Sequence, residues 1–225
     1  MEAGNLPTVL RMRDELTDSA TFQVIVSPLE NIPGIPTKAL SAEFHELFKA
    51  VLLLHRHPRT LIQLVVQTTS KPPVATPTVN LSMNQPQEAS SSEAKEPEKR
   101  RAPLLLGPDM PFEASEIAAS INASTLALID AAIPLRATVI ATSVVVDPSP
   151  EEEKVALSCH VYAFAFSGYN ALDASGNDES TAQLVYYVGS GSTSAKQRTL
   201  LFSTAEDAAF ETLSHLRNSL AARIE

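Results

Sequence analysis

The chain has 225 residues, enough for one large or two small domains with a buried core, and its 26 acidic and 17 basic side chains give a net charge of −9. This acidic balance argues against a free-standing, sequence-independent nucleic-acid binder, because a negative protein repels phosphates at long range. The single cysteine, Cys159, excludes an internal disulfide framework and a cysteine-based zinc site.

No run in the sequence reaches the roughly 18 apolar residues that a membrane-spanning helix requires. The first residues, Met1 to Asn5, have no basic region leading into an apolar core. We therefore expect no membrane span and no secretory signal, and a cytosolic or nuclear location. Aromatic residues make up only 5% of the chain, which leaves few side chains on which bases can stack.

The first part of the chain predicts a strand, a helix and a second strand. Residues 21–26 alternate and include β-branched side chains, which is typical of a strand. After a proline-rich turn, apolar residues at helical spacing predict an amphipathic helix over residues 38–54, which His57-Pro58 ends. Residues 61–67 form the next predicted strand, with glutamines on one face and aliphatic residues on the other.

Residues 68–110 are interpreted as a disordered, low-complexity insertion. Prolines interrupt a run of Ser, Gln, Glu and Lys, and residues 71–101 contain no aromatic side chain. Such a segment buries too little apolar surface to offset the entropy lost on ordering. Its basic end, Lys99-Arg100-Arg101, is either a solvated charge run or a patch for nuclear import or RNA contact.

The remainder predicts two helices and four strands. A helix over residues 113–131 precedes an almost continuous apolar strand at 137–146, the pattern of a strand covered on both faces. Strands are predicted over 158–166 and 183–188, with a shorter one at 198–202. A capping-box signature, Ser203 to Glu206, predicts the start of a final helix. Because the strands outnumber the helices without strict alternation, the fold class is α+β, with a mixed sheet packed against helices.

Three clusters carry candidate chemistry, each with a purely structural alternative. The turn His55 to Arg59 places several cations where a helix meets a strand, which suits phosphate contact or a solvated helix end. The acidic turn with Asp147 and Glu151 to Glu153 suits a magnesium site, an acid/base pair or a hydrophilic loop. Cys159 lies among apolar neighbours and favours core packing over nucleophilic catalysis, and the five histidines lack metal-site spacing.

The order of these segments resembles the RNase PH-type proteins, and in particular a ring subunit of the eukaryotic RNA exosome. The resemblance covers most of residues 10–225 outside 68–110 and 167–197. It is carried by the following segments: Arg13-Asp14-Glu15-Leu16-Thr17 before the first strand; His57-Pro58-Arg59-Thr60-Leu61-Ile62-Gln63; the long segment from Ser120 to Arg136; the acidic turn from Val146 to Glu153; and the closing helix from Phe202 to Ile224.

The resemblance implies a site that has lost its catalytic groups. Active members shorten RNA from its 3′ end by phosphate attack, with an arginine that holds the phosphate and two aspartates near the acidic turn. The family alignment puts Glu116-Ile117 at the arginine element, Glu153 at the first aspartate and Cys159 at the second. A carboxylate beside the phosphate position opposes the reaction, because the attacking and scissile phosphates both need a neutralising cation.

Two further departures from the family concern structure. The resemblance implies a glycine-rich hairpin at the N-terminus, of which only Met1 to Pro7 remain before the first family motif, so this hairpin is expected to be missing. Ala132 stands where the family ends its helix with glycine, a small cost because alanine disfavours positive φ. We expect one RNase PH-like domain over residues 8–225, interrupted by the insertion.

The resemblance therefore implies a catalytically inactive subunit without cofactor or metal, assembled with other RNase PH-like chains in a hetero-hexameric ring that guides single-stranded RNA. Cap subunits and an associated nuclease complete the expected partners, in the nucleus, the nucleolus and the cytoplasm. Arg59 and Arg56 are the expected RNA contacts. Two alternatives remain: an active phosphorolytic 3′→5′ exoribonuclease that uses Glu153 with an arginine from elsewhere, and a stand-alone homo-oligomeric RNA-binding protein.

Overall fold

The computed structural model describes residues 15–29, 34–70, 78–79, 105–107, 110–146, 158–167, 182–191 and 193–224. In chain order the elements are β1 (Thr21–Ser27), α1 (Ile35–Val51), β2 (Leu61–Gln67), β3 (Thr78–Val79), β4 (Leu105–Gly107), β5 (Met110–Glu113), α2 (Ala114–Asp130), β6 (Thr138–Val146), β7 (Ser158–Phe166), β8 (Ala182–Ser190) and α3 (Ala195–Ile224). Helices and strands mix without strict alternation, which confirms the predicted α+β class.

The first unit is a parallel pair of strands joined by a helix. β1 and β2 pair in register from Thr21 opposite Leu61 to Ser27 opposite Gln67, and α1 packs against β1. The buried side of β1 and the apolar stripe of α1 belong to one core cluster, whose members here are Phe22, Val24, Val26, Leu40, Phe44 and Phe48. The predicted strands at 21–26 and 61–67 are therefore confirmed.

The helix α1 occupies residues 35–51 and not the predicted 38–54. It begins earlier because proline is tolerated in a first helical turn, where its missing N–H has no partner to lose, so Pro36 fits inside the helix. The Thr37 hydroxyl accepts a hydrogen bond from the Gly34 N–H at 2.9 Å and donates one to the Gly34 carbonyl at 2.8 Å. The helix ends earlier because Leu52 leaves it to pair with Leu135.

The main sheet has four strands in the order β3-β6-β7-β8, with β3 parallel to β6 and the other pairs antiparallel. Every residue of β7 is buried, and most of β6 is buried too, so these central strands are covered on both faces as the apolar pattern predicted. Alternate residues of β7 point to opposite faces of the sheet. Cys159, Val161 and Ala163 face the core on the α2 side, whereas Tyr162, Phe164 and Phe166 face the core on the α3 side.

Two polar side chains of α2 fasten that helix to β6. The Asn122 amide donates to the Ala141 carbonyl at 2.9 Å and its oxygen accepts from the Ala141 N–H at 2.7 Å. The Thr125 hydroxyl, which is buried, donates to the Val139 carbonyl at 2.7 Å. These side chains bind the backbone of β6 as a neighbouring strand does elsewhere, so buried backbone groups keep their partners.

α2 ends in the backbone arrangement that a terminal glycine usually adopts. Ala132 has φ of 53°, its N–H donates to Ile129 at 2.9 Å, and the Ile133 N–H donates to Leu128 at 3.0 Å. These two bonds form a Schellman motif, in which the residue after the cap is left-handed. The predicted helix 113–131 and the expected strain at Ala132 are both confirmed.

The predicted strand at 198–202 and the predicted helix start at Ser203 are wrong, because residues 195–224 form one helix, α3. A capping box lies earlier: the Ser194 N–H donates to the Gln197 side chain at 2.8 Å, and the Gln197 N–H donates to the Ser194 hydroxyl at 3.3 Å. Short apolar runs such as Thr199 to Phe202 do not distinguish strand from helix. The helix is fixed by a buried stripe with a spacing of four, Leu201, Ala205, Ala209 and Leu213.

Several predictions fall partly or wholly outside the described residues. Two short strands, β3 and β4, lie within the segment 68–110, so any disorder of the rest of that segment stays a prediction. The N-terminal residues 1–14, all of the acidic turn after Val146 and most of the polar loop 167–181 are also outside the described ranges. The strand predicted at 183–188 is confirmed and extends over all of β8.

Candidate nucleic-acid interface

The predicted RNA-contact residues lie on one exposed turn between α1 and β2. After Leu52, residues Leu54–Arg56 form a 3₁₀ turn, and the Arg56 N–H donates to the Leu53 carbonyl at 3.1 Å. Residues 55–59 are all exposed. Because the turn follows the C-terminal end of α1, the partial negative charge of the helix end favours cations there.

The backbone of Arg59 is hydrogen-bonded, whereas its side chain is largely exposed. Its φ of 59° is left-handed, and its N–H donates to the Leu16 carbonyl at 3.2 Å, which fixes the turn. Its guanidinium Nε lies 3.9 Å from Glu15 Oε1, and the Arg59 side chain is 69% exposed. An ion pair this long and this exposed contributes little to stability, so the side chain remains available to a phosphate.

The structure brings a third arginine to this surface that sequence reasoning did not single out. The Arg136 N–H donates to the Val51 carbonyl at 2.8 Å, and the Leu53 N–H donates to the Pro134 carbonyl at 3.1 Å. Arg136 is exposed, whereas its neighbour Leu135 packs against the core. The sequence shows that Arg136 lies in the loop that follows α2. The bridge between Leu52 and Leu135 shows that this loop adjoins the turn after α1.

Glu116 and Ile117, which the family resemblance aligns with the arginine element, lie at the start of α2. The Thr68 hydroxyl donates to Glu116 Oε1 at 2.9 Å, which ties the end of β2 to this turn. Ile117 is completely buried in the core. A carboxylate is favoured at a helix N-terminus by the helix dipole, but it repels a phosphate that would bind at the same place.

The family resemblance implies two further site positions, Cys159 and Glu153. Cys159 is 3% exposed near the start of β7, and burial raises the pKa of its thiol, so the sulfur is neutral and packed. This agrees with the interpretation of Cys159 as a core residue. Glu153 and the rest of the acidic turn lie outside the described residues, so neither the magnesium nor the acid/base hypothesis is tested.

A buried polar cluster on the α3 side of the sheet was not predicted. His160 is 2% exposed, and its Nδ1 lies 3.0 Å from the Tyr187 hydroxyl. Burial, and then the positive charge of Arg198, lower the pKa of His160. Burial, and then Tyr187, raise the pKa of Tyr162 to about 12. His160 is therefore neutral near pH 7 and acts as a hydrogen-bonding core residue.

Neither metal ligation nor membrane insertion emerges from the described part of the chain. Within those ranges no three His, Cys, Asp or Glu side chains group closely enough to hold a metal ion. No helix there is both long and apolar enough to cross a membrane.

Two proteins that are similar to this chain are exosome complex components. No protein-family model matches the chain. It is 24% identical over 169 residues to exosome complex component RRP46 of Saccharomyces cerevisiae, which is 71% of this chain and 60% of that protein. It is 32% identical over 63 residues to exosome complex component rrp46 of Schizosaccharomyces pombe, or 28% of each chain. The chain thus spans less than two thirds of either curated relative.

The structural comparison agrees with the sequence comparison. The crystal structure of Rrp46 from rice, Oryza sativa, matches with a TM-score of 0.57 and 15% sequence identity. The match covers 94% of this chain and 78% of the rice chain. Similarity at this level of identity establishes the fold, and it confirms the predicted RNase PH-type α+β architecture.

Proposed function

On the premise that this chain is an RNase PH-like relative of exosome component RRP46, we propose that it is a structural, non-catalytic subunit of the RNA exosome ring. In this role it supports 3′→5′ RNA processing and degradation by helping to guide RNA to a nuclease that another subunit supplies. The function includes processing of ribosomal RNA.

The observation that carries the non-catalytic part is the first turn of α2. Where the family resemblance puts a phosphate-binding arginine, this chain has Glu116, which binds Thr68, and Ile117, which is buried in the core. A phosphate at this position meets a carboxylate, and phosphate-driven cleavage needs a cation to stabilise the charge of the transition state. Cys159 adds a neutral thiol at a position where the family uses an acid.

The basic turn supplies the RNA-directed part of the proposal. Arg56 and Arg59 are exposed on one turn, and Arg136 lies on the adjoining loop. Contacts to phosphates position RNA without reading its sequence, which suits a channel that passes many different RNAs. The chain as a whole is acidic, so this surface acts as a local contact within a ring whose other subunits add positive charge.

The partners follow from the same proposal. They are other RNase PH-like subunits in a hetero-hexameric ring, cap subunits, an associated nuclease and single-stranded RNA. The location is the nucleus, including the nucleolus, and the cytoplasm. No cofactor, metal or membrane is part of the function.

Purification of the native protein under gentle conditions tests the assembly. The chain is expected to migrate far above its own 24.1 kDa and to carry other RNase PH-like chains, identified by mass spectrometry, in equal amounts. Recovery of a 24.1 kDa monomer from the same extract would contradict a ring subunit.

The RNA contacts are tested in the assembled complex by a double substitution, Arg56→Ala with Arg59→Ala. Crosslinking of a single-stranded RNA to this chain should fall, with the largest difference at low salt, because phosphate contacts weaken as salt rises. Arg217→Ala, an exposed arginine on α3, is the matched control. Equal crosslinking by the double variant and the control would remove Arg56 and Arg59 from the RNA path.

A further inference from the structure

The exposed apolar surface of the described residues is concentrated at one place. Five of the ten large hydrophobic side chains exposed in these residues belong to β8 and the first turns of α3: Leu184, Val185, Tyr187, Leu200 and Phe202. We call these five residues the β8 patch. Large apolar side chains exposed on neighbouring elements are candidates for an interaction site in a soluble protein.

The patch exists because α3 covers only part of the sheet. α3 packs against β6 and β7, whereas β8 is the last strand in the order β3-β6-β7-β8 and keeps this face open. β4 contacts both β8 and β7, so it crosses a face of the sheet and does not pair along the outer edge of β8. Within the described residues, the outer edge of β8 has no partner strand.

The edge itself lacks the usual protection against strand pairing. Natural edge strands carry charges or prolines that prevent another chain from adding to the sheet. The segment Ala182–Ser190 contains neither a charged residue nor a proline. Open backbone N–H and C=O groups beside an apolar face are what an added strand requires.

The aromatic side chains at the centre of the patch are held in place by contacts with their neighbours. The Tyr187 hydroxyl is hydrogen-bonded to buried His160, and the Tyr187 ring lies 5.0 Å from the Tyr162 ring. Phe202 is packed edge-on to Phe164 at 5.5 Å. Gly189 leaves room for this arrangement, because a Cβ there would collide with His160 Nδ1. Aromatic side chains held in this way bind without losing rotamer entropy and are enriched at interface hot spots.

The charge of the segment that carries the patch favours an acidic partner. Residues 182–202 contain no Asp or Glu and two cations, Lys196 and Arg198, in a chain with a net charge of −9. Both cations are exposed at the beginning of α3. An occupant with a carboxylate is complementary to them. Phosphate has the same charge, but aliphatic residues and an open strand edge favour a peptide over RNA.

We propose that the β8 patch docks an extended, apolar and acidic strand of a neighbouring protein chain, which adds to the sheet at β8. This inference deepens the proposed function and rests on it for the neighbour, a second RNase PH-like subunit of the ring. Apolar side chains of the added strand contact Tyr187 and Phe202, and its carboxylate faces Arg198.

A photocrosslinking experiment on the full chain in its native complex tests the docking. Val185, which is 38% exposed and lies at the bulge of β8, is replaced by p-benzoyl-phenylalanine. Ile35, which is 86% exposed at the start of α1, receives the same group as the control. The Val185 position is expected to yield at least tenfold more protein adduct, at an apolar segment of another chain that contains Asp or Glu.

The other results overturn the inference in distinguishable ways. An adduct with RNA, an adduct with a second copy of this chain, or a yield equal to that of the Ile35 control would each reject the proposed occupant. If these results come from a large complex, the ring-subunit function stands and only the inference fails. If the unsubstituted chain is a monomer in the same extract, the proposed function fails and the inference fails with it.

A charge reversal provides an independent test. Arg198→Glu should lower the share of chain in the large complex at least fivefold, whereas Arg217→Glu on the same helix should leave it unchanged. Arg198 is exposed, and its described side-chain bond is a 3.3 Å contact with Thr193, so the isolated variant should unfold at the same temperature as the unsubstituted chain. Unchanged assembly of Arg198→Glu, with folding intact, would remove the acidic contact from the proposal.

Discussion

The two faces of the main sheet differ in the side chains that cover them. The α2 face is aliphatic, and its polar side chains Asn122 and Thr125 are hydrogen-bonded to β6. The α3 face is aromatic. Among the described residues, His160 Nε2 and Ser158 Oγ on this face are buried without a hydrogen-bond partner. Buried polar atoms are normally paired, so these two atoms of the α3 face are exceptions.

This difference indicates that the α2 face contributes to the stability of the fold, whereas the α3 face leaves apolar surface exposed to other chains. The segment from Ser120 to Arg136, which carries the family resemblance, fastens α2 to the sheet and leads to the loop with Arg136. The α3 side leaves β8 uncovered and keeps two aromatic rings half-exposed. We therefore expect substitutions on the α2 side to affect stability, and substitutions in the β8 patch to affect assembly.

The largest stability loss is expected from Asn122→Leu. Leucine leaves both the N–H and the carbonyl of Ala141 without the bonds that Asn122 makes, so the free energy of unfolding should fall by about 2 to 4 kcal/mol. Urea unfolding followed by circular dichroism measures the loss. Asn218→Leu, at an exposed position of α3, is the control and should change the value by less than about 0.5 kcal/mol. Equal effects at the two positions would refute the fastening role.

The second effect is a pH dependence on the α3 face. The pKa of folded His160 lies below its ordinary value of 6.5, through burial and the charge of Arg198. Below pH 6.5 the unfolded chain binds a proton that the folded chain rejects, so stability is complete above 6.5 and falls as the pH drops towards the folded pKa. The slope reaches at most about 1.4 kcal/mol per pH unit.

The measurement compares unfolding between pH 7.5 and 5 in the unsubstituted chain and in two variants. His160→Gln should remove the part of the pH dependence of stability that comes from His160. His215→Gln, at an exposed site on α3, should leave the pH dependence of stability unchanged. Tyr187, Tyr162 and Arg198, the groups that interact with His160, remain in both variants. A His160→Gln curve that parallels the unsubstituted curve would show that His160 is not the titrating group.

The smallest effect is a gain in stability at the end of α2. Ala132→Gly should raise the free energy of unfolding by about 1 kcal/mol, because φ of 53° is strained for alanine and ordinary for glycine. Ala123→Gly, at an exposed position within the same helix, should lower it by about 1 kcal/mol. Opposite signs in thermal unfolding are the expected signature, and a loss at both positions would contradict the strain at Ala132.

Helices and strands were predicted correctly where the hydrophobic periodicity of the sequence matches the burial of the residues in the fold. The wholly buried β7 was predicted over its full length, and α2 to within one residue at each end. The prediction failed at α3, because Thr199 to Phe202 is a short, mostly apolar run that suits a strand or a helix, and the packing of Leu201 against the α3 core identifies the helix. The capping box that begins α3, formed by Ser194 and Gln197, was not predicted.

The candidate site was predictable in part for the same physical reasons. Exposure of Arg56 and Arg59 follows from a polar turn after a helix. Arg136 was missed because its proximity to that turn depends on a bridge between residues 83 positions apart in the chain. The His160 cluster was missed because the alternation in β7 predicts which face of the strand His160 lies on, but not which residues surround it. Tyr187 approaches from β8 and Arg198 from α3.

The central claim is that this RNase PH-like chain does not itself cleave RNA. The most direct test is to incubate the purified full chain with a single-stranded RNA, with and without inorganic phosphate, and to measure released nucleoside diphosphates. We predict no release above that of a chain-free control in either condition, because Glu116 and Ile117 stand where the family resemblance implies the phosphate-binding element. Release that requires phosphate, and that Glu153→Gln abolishes, would contradict the claim and establish the enzyme.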